Sequence, residues 1–346
     1  MAIKELLQKG ILGETYSESE AYEMMNEILE GKATEVQLSS LLTILRLRGE
    51  TISEIIGFST AILDHTLPLH VDFPQLLDTC GTGGDGASTF NISTASALML
   101  SSDGVKVAKH GNSAVTSKSG SADVLSRLGI QSSSDVSEIN RNLDEFSLCF
   151  LFAPNYHPAL RHASQTRKGL SFRTVFNILG PLVNPAHPTH QLIGAFNRET
   201  AEKMAIAISQ FKNQRTLVVT GEDGLDECSI FAPTHFFEVK DGQVSEFTLT
   251  PEDVGLTYGK LEDVTVSSSQ ESAALIQGVL KGNAPESARN IVVYNTAASL
   301  YLTGRSDSIR EGVSYAQDLI ASGKALEHLE MIQNQTGGVP YAATNS

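Results

Sequence analysis

The chain has 346 residues, 41% hydrophobic and 19% charged, with a formal net charge of −15. That length buries a substantial core without staples, and three widely spaced cysteines, Cys80, Cys149 and Cys228, suggest neither a disulfide framework nor a zinc site. The acidity argues against a nucleic-acid or acidic-membrane binder, and no apolar run approaches the ~20 residues that span a bilayer. The start, "MAIKELLQKG", is amphipathic and short rather than a signal peptide, so a reduced, cytoplasmic protein is expected.

The first stretch reads as helices. In "SESEAYEMMNEILEG", Ser17 and Glu20 form a capping box. Ala21, Met24, Met25, Ile28 and Leu29 then share one helical face, and Gly31 ends it. "TEVQLSSLLTILRLRG" repeats the logic, with Thr34 and Gln37 as the box and Gly49 as the stop. "TISEIIGFSTAILDHT" is a further helix with Ile52, Ile55, Ile56 and Ile62 inside. No catalytic constellation is visible here, so residues 1–70 are read as a small all-helical domain of structural or oligomerising character.

From Phe73 the texture changes. The short apolar runs "QLLDT", "VKVAKH", "LCFLF" and "TLVVT" alternate with helical stretches. This is α/β texture, with a central, mostly parallel sheet flanked by helices over residues 71–346. Between "LCFLF" and "TLVVT", the segment from His157 begins in a helical pattern and ends rich in Gly, Pro and Asn. "FFEVKDGQVSEFTLT" is an antiparallel hairpin with Asp241-Gly242 at its turn.

Four places can carry chemistry. The first is "DTCGTGGDGASTFNIST", where Gly81, Gly83 and Gly86 match G-x-G-x-x-G and a helix opens near Asn91, Ser93 and Thr94. Glycines admit close approach to an anion, and a helix N-terminus offers free N–H groups. No Gly-Lys-Ser/Thr follows, so it is not a Walker A loop. Asp103 lies at the distance of a dinucleotide acid. Asp85, however, would repel a bare pyrophosphate unless a hydroxyl or metal lay between them, which favours a sugar phosphate or a metal-bridged pyrophosphate. The second is "VAKHGNSAVTSKSGSADVLSRLG", read as a phosphate clamp. It has Lys109 and Lys118 as cations of a loop after a strand, and Gly111 and Gly120 for flexibility. Ser113, Thr116, Ser117, Ser119 and Ser121 supply hydroxyls. The third is "GEDGLDECS", whose adjacent Asp226 and Glu227 suit Mg²⁺ beside a phosphate site. The fourth is Arg167 with Arg173, suited to carboxylate recognition. His157 and His162 are five apart, which does not make a zinc pair.

Taken together, "GTGGD", "NIST", "KHGN", "SGSADVL", "HPA", "RTVFNILGPLVNP" and "DGLDE" occur in the order seen in anthranilate phosphoribosyltransferases. The resemblance covers nearly the whole chain and implies a fold of the nucleoside phosphorylase/phosphoribosyltransferase type. Its small helical domain includes an inserted segment near residues 157–188, and the large domain binds phosphoribosyl pyrophosphate (PRPP). It implies a homodimer and a step of tryptophan biosynthesis, in which the amine of anthranilate attacks C1 of PRPP. Carried over by position, Gly81, Gly84, Asp85, Thr89, Asn91, Ser93 and Thr94 hold ribose and phosphates. Lys109, His110, Gly111, Asn112, Thr116, Ser117 and Ser121 complete the PRPP site. Asn112 and Arg167 receive anthranilate, Gly81 lies between the substrates, and Ser93, Asp226 and Glu227 ligate Mg²⁺. Lys109, Asp226 and Glu227 are the expected catalytic residues.

One departure stands out: Ser113 occupies the place where the family usually has arginine, and Thr116 a usual serine. The alternatives are a transferase with another aromatic acceptor, a pyrimidine nucleoside phosphorylase of the same fold, a nicotinamide enzyme built on the glycine pattern, and a non-enzymatic nucleic-acid binder. The acidic pair favours the diphosphate substrate over the phosphorylase, and the charge disfavours the last.

Overall fold

The computed structural model describes residues 3–113, 119–211 and 215–335. The chain opens with four helices, α1 (Ile3–Ile11), α2 (Glu18–Leu29), α3 (Glu35–Arg48) and α4 (Ile52–Asp64). Both expected capping boxes form: Ser17 accepts from the Glu20 N–H at 3.3 Å and Thr34 from the Gln37 N–H at 3.3 Å. A third, Thr51 with Glu54, starts α4.

Among the described residues seven strands follow: β1 (Leu77–Gly81), β2 (Val107–Gly111), β3 (Leu148–Phe152), β4 (His190–Gly194), β5 (Arg215–Gly221), β6 (Thr234–Lys240) and β7 (Gln243–Leu249). They form one sheet in the order β3-β2-β1-β4-β5-β6-β7. The first five are parallel, and β6 and β7 add an antiparallel edge. The hairpin turn is as expected, with Asp241 at φ +50° and Gly242 at φ +74°. The sequence reading did not find β4. "HQLIG" is short and follows a Pro- and Asn-rich stretch, and it becomes a strand by pairing with β1 on one side and β5 on the other.

Alternation along the strands sends side chains to two cores. Leu192, Leu217, Val219 and Phe236 face a core shared with the C-terminal helices. Ile193, Val218, Phe237 and Val239 face the other, shared with the N-terminal helices and Val175–Val183. The four-helix segment therefore lies on the sheet rather than apart from it. The chain runs outward from β1 to β3 and then returns to the far side of β1, so β1 and β4 bracket a topological switch point. In open α/β sheets, ligands bind at the carboxyl ends of the strands at such a point.

Candidate functional site

The central parallel strands β1, β2, β4 and β5 all end in glycine: Gly81, Gly111, Gly194 and Gly221. The loops leaving them fold across the strand ends. A Cβ on Gly81 would stand 2.6 Å from Asp226 Oδ2, and one on Gly194 only 1.5 Å from the Asp226 carbonyl oxygen. The missing side chains thus let the acidic loop after β5 settle over β1 and β4. There Asp226 Oδ2 accepts a 2.6 Å hydrogen bond from the Gly83 N–H, joining the acidic pair to the glycine loop.

Asp85 lies in the same loop, with Oδ1 accepting from the Ala87 N–H at 3.1 Å and Oδ2 buried without a hydrogen-bond partner among the described residues. Burial pushes the Asp226 carboxyl well above its usual range, and the charges of Asp85 and Glu227 push it further. Burial also raises Glu227, to about 8, against the pull of Lys109. Carboxylates so placed disfavour their own charges, and hard oxygens in this setting fit a divalent cation such as Mg²⁺.

Lys109 is not in a loop, contrary to expectation. It lies inside β2, is only 2% exposed, and donates to the Thr79 carbonyl and, at 3.1 Å, to Ser93 Oγ. Alternation along β2 points it inward beneath the glycine loop. Burial draws its pKa down, and the fully buried Asp78 is the main charge opposing that shift. Asp78 also accepts from the His110 N–H at 3.2 Å. Sequence reasoning missed Asp78, although an acid inside the apolar run "QLLDT" is a signal.

The helix α5 (Ile92–Ser102) begins at Asn91, whose side chain does not cap it. Asn91 Oδ1 instead accepts from Ser119 Oγ at 2.7 Å and Ser272 Oγ at 2.9 Å. The Ile92 N–H donates instead to the Phe90 carbonyl at 2.7 Å and the Thr94 N–H to the Asn91 carbonyl at 3.1 Å, while the Ser93 backbone hydrogen-bonds Glu227 and brings the acidic pair to the start of α5. Thr94 Oγ1 is buried with no partner among the described residues. Ser272 lies 181 residues from Asn91, and nothing local marks it. Thr89 pairs with Thr265 in an isolated antiparallel bridge that closes the loop. Asp103 sits at the opposite end of α5, bonded to Tyr315 at 2.8 Å and Lys324 at 2.8 Å, and takes no part in the site.

At the end of β2, Asn112 accepts through its carbonyl from Ser121 Oγ at 3.3 Å, against Gly111, while Asn112 Oδ1 accepts from the Ser113 N–H at 2.8 Å. Thr116, Ser117 and Lys118 lie outside the described residues. His110 packs edge-on to His157, ring centroids 5.2 Å apart. Burial, then His157, holds His110 down to about 3, and burial holds His157 down to about 4, so both rings are neutral. Arg167 stacks on Phe176 at 4.8 Å, and burial lowers its pKa. The glycine loop, Asn112 at the end of β2 and the acidic pair therefore share the carboxyl ends of the parallel strands, with the start of α5 beside them.

This arrangement has close counterparts. The profile of "Glycosyl transferase family, a/b domain" matches residues 73–326, and that of "Glycosyl transferase family, helical bundle domain" matches residues 4–66. The chain is 50% identical over 331 residues to the anthranilate phosphoribosyltransferase of Geobacillus kaustophilus, covering 96% of this chain and 97% of that one. Its fold matches the Thermus thermophilus enzyme of that name with a TM-score of 0.87 at 39% identity, covering 95% of this chain and 98% of that one. The Saccharomyces cerevisiae enzyme, in complex with PRPP and Mg, matches with a TM-score of 0.88 at 29% identity, covering 97% and 98%. These likenesses do not favour a phosphorylase or a different acceptor. The chain belongs to the anthranilate phosphoribosyltransferase family.

Proposed function

We propose that this chain joins the amine of anthranilate to C1 of PRPP, releasing pyrophosphate, at the switch point between β1 and β4. The observation that carries the reading is the 2.6 Å bond from the Gly83 N–H to Asp226, which puts a phosphate-type glycine loop and an acidic pair in one place. In this reading Gly81, Gly84, Asp85, Thr89, Asn91, Ser93 and Thr94 hold the donor's ribose and phosphates. Lys109, His110, Gly111, Thr116, Ser117 and Ser121 complete that site, and Asn112 and Arg167 receive the acceptor.

An aromatic amine is neutral at pH 7, so attack needs no strong general base. The barrier lies in departure of pyrophosphate and the positive charge growing at C1, which makes positioning and electrostatics the main levers. Lys109 serves as a fixed charge beneath the donor loop, oriented through the Thr79 carbonyl and Ser93 Oγ. Ser93, Asp226 and Glu227 would hold Mg²⁺, which when bound supplies charge neutralisation to the leaving group.

The test is the fall of anthranilate fluorescence with purified protein, PRPP and Mg²⁺. Loss of signal is expected only with all components present and is abolished by EDTA. The pair Asp226→Asn and Glu227→Gln is expected to lower turnover at least about a hundredfold, the scale of a lost electrostatic contact to the transition state, without unfolding the protein. Near-normal turnover of that pair at low Mg²⁺ would sink the metal role.

We take residues 1–70, with the segment near 157–188, as a small helical domain beside the α/β domain of 71–346. A homodimer formed through the helical domain is supported by its exposed apolar side chains Ile11, Leu12, Val36 and Leu47. A cytoplasmic setting is supported by three unpaired cysteines.

A further inference from the structure

Arg173 precedes the short helix Val175–Leu179 and spans two of the strand-end loops. Its stem lies against Gly84, where a Cβ would come 2.8 Å from Arg173 Cδ and 3.0 Å from Cγ. Its guanidinium carbon stands 4.2 Å from the centroid of the Phe196 ring, just past the end of β4. Stem and head are both fixed, so this arginine is held in one place at the switch point.

It is also unspent. Among the described residues, Arg48 pairs with Glu54, Arg215 with Glu238, and Arg289 donates to the Gly282 carbonyl. Arg167 and Arg173 are the remaining partly buried arginines, and neither has a carboxylate or a hydrogen-bond acceptor among the described residues. Asp85, Asp226 and Glu227 sit in the same set of loops, yet none forms an ion pair with Arg173. A half-buried, ordered and unpaired guanidinium is unfavourable alone and is suited to bidentate capture of a phosphate oxygen.

The two arginines sit on different parts of the site. Arg167 stacks on Phe176 in the segment that packs beside the N-terminal helices, whereas Arg173 touches the glycine loop itself. We propose that Arg173 is a substrate-binding residue whose guanidinium receives a phosphate oxygen of PRPP at the Gly83–Gly84 turn, an assignment that rests on the transferase reading above. The lack of a side chain on Gly84 gives the arginine its seat.

The experiment is calorimetric titration of the full chain with PRPP and Mg²⁺, together with steady-state kinetics, for the wild type, Arg173→Met and Arg173→Lys. Met keeps the stem against Gly84 without charge, and Lys keeps the charge without the planar fork. Arg173→Met is expected to weaken PRPP binding about tenfold or more, the scale of a lost charged hydrogen bond, with KM for anthranilate unchanged. Arg173→Lys is expected to recover part of the loss. Thermal melting checks that each variant is folded, and Arg173→Gln replaces the Met variant if that one is not. A folded, uncharged variant that binds PRPP like the wild type overturns the assignment, as does a rise in KM confined to anthranilate. A wild type that fails to bind PRPP overturns the transferase reading and this assignment with it.

Discussion

Asp226 is held in place as much by absent side chains as by its own bonds. At Gly194 an added Cβ meets the backbone carbonyl of Asp226 at 1.5 Å, while at Gly81 it meets the side-chain oxygen at 2.6 Å. A side-chain oxygen can rotate away, but a backbone atom moves only with its loop. Gly194→Ala is therefore expected to cost more than Gly81→Ala, at or beyond the ~3 kcal/mol reached by overpacked cores, with loss of PRPP turnover as the acidic loop shifts. Thermal denaturation of the two variants side by side checks this, and an equal or higher melting temperature for Gly194→Ala contradicts it. The acids of this site were legible because Asp226 and Glu227 are adjacent and follow a strand. The glycines beneath them were not, because Gly194 and Asp226 meet only once β4 is registered against β1 and β5, a non-local fact. Lys109 was legible as a cation and misplaced as a loop residue. Its burial follows from strand alternation, and Asp78 in the neighbouring strand provides the counter-charge.

Elements show the same division between local and non-local causes. The boxes at Ser17 and Thr34 could be read directly because a capping box is a four-residue pattern. The third box follows the same pattern, but its acid does more than close a helix. Glu54 is fully buried and accepts from the Thr51 N–H at 2.8 Å, from the Tyr16 N–H at 2.8 Å and from Arg48 at 2.5 Å. It thus ties the start of α4 to the end of α3 and to the turn before α2. Removing one partner of a buried ion pair leaves the other charge stranded, so Glu54→Ala is expected to destabilise the protein by about 3–5 kcal/mol. Urea denaturation reads this out, and a loss below that of the Ser17→Ala cap variant, about 1 kcal/mol, would show that the three ties are not cooperative. At the other extreme is β4, whose five residues carry little strand signal of their own and owe their conformation to two neighbours. Asn91 belongs between these cases. Its position at a helix start was readable, but Ser119 and Ser272 draw its side chain away from capping, and Ser272 is distant in sequence.

At the scale of the whole molecule, the helical segment and the sheet share one core, so α1 to α4 are positioned by the same packing that holds β4 and β5. What they turn outward then needs its own account. Val36 and Leu47 in α3 are 76% and 83% exposed. Their spacing returns to the same face of a helix at 3.6 residues per turn. Ile11 and Leu12, 66% and 76% exposed, sit at the end of α1, which packs beside α3. Isolated exposed apolar residues are ordinary, but a group of this kind on adjoining helices is where the proposed dimer would associate. The chain's net charge of −15 opposes association at long range, so the dimer contact proposed above is a local apolar one. Light scattering on the eluted protein is expected to give the mass of a dimer, and Val36→Ser with Leu47→Ser is expected to give the monomer. Serine leaves the net charge unchanged, so dissociation reports the apolar contact rather than added repulsion. Neither side chain contributes to the core of a single chain, so the melting temperature of the dissociated protein reports how much stability the contact adds by mass action. The glycine loop, the acidic pair and Arg173 all come from one chain and lie at the strand ends. PRPP binding is therefore expected to survive dissociation, whereas a monomeric wild type, or a dimer untouched by both substitutions, would move the association surface elsewhere.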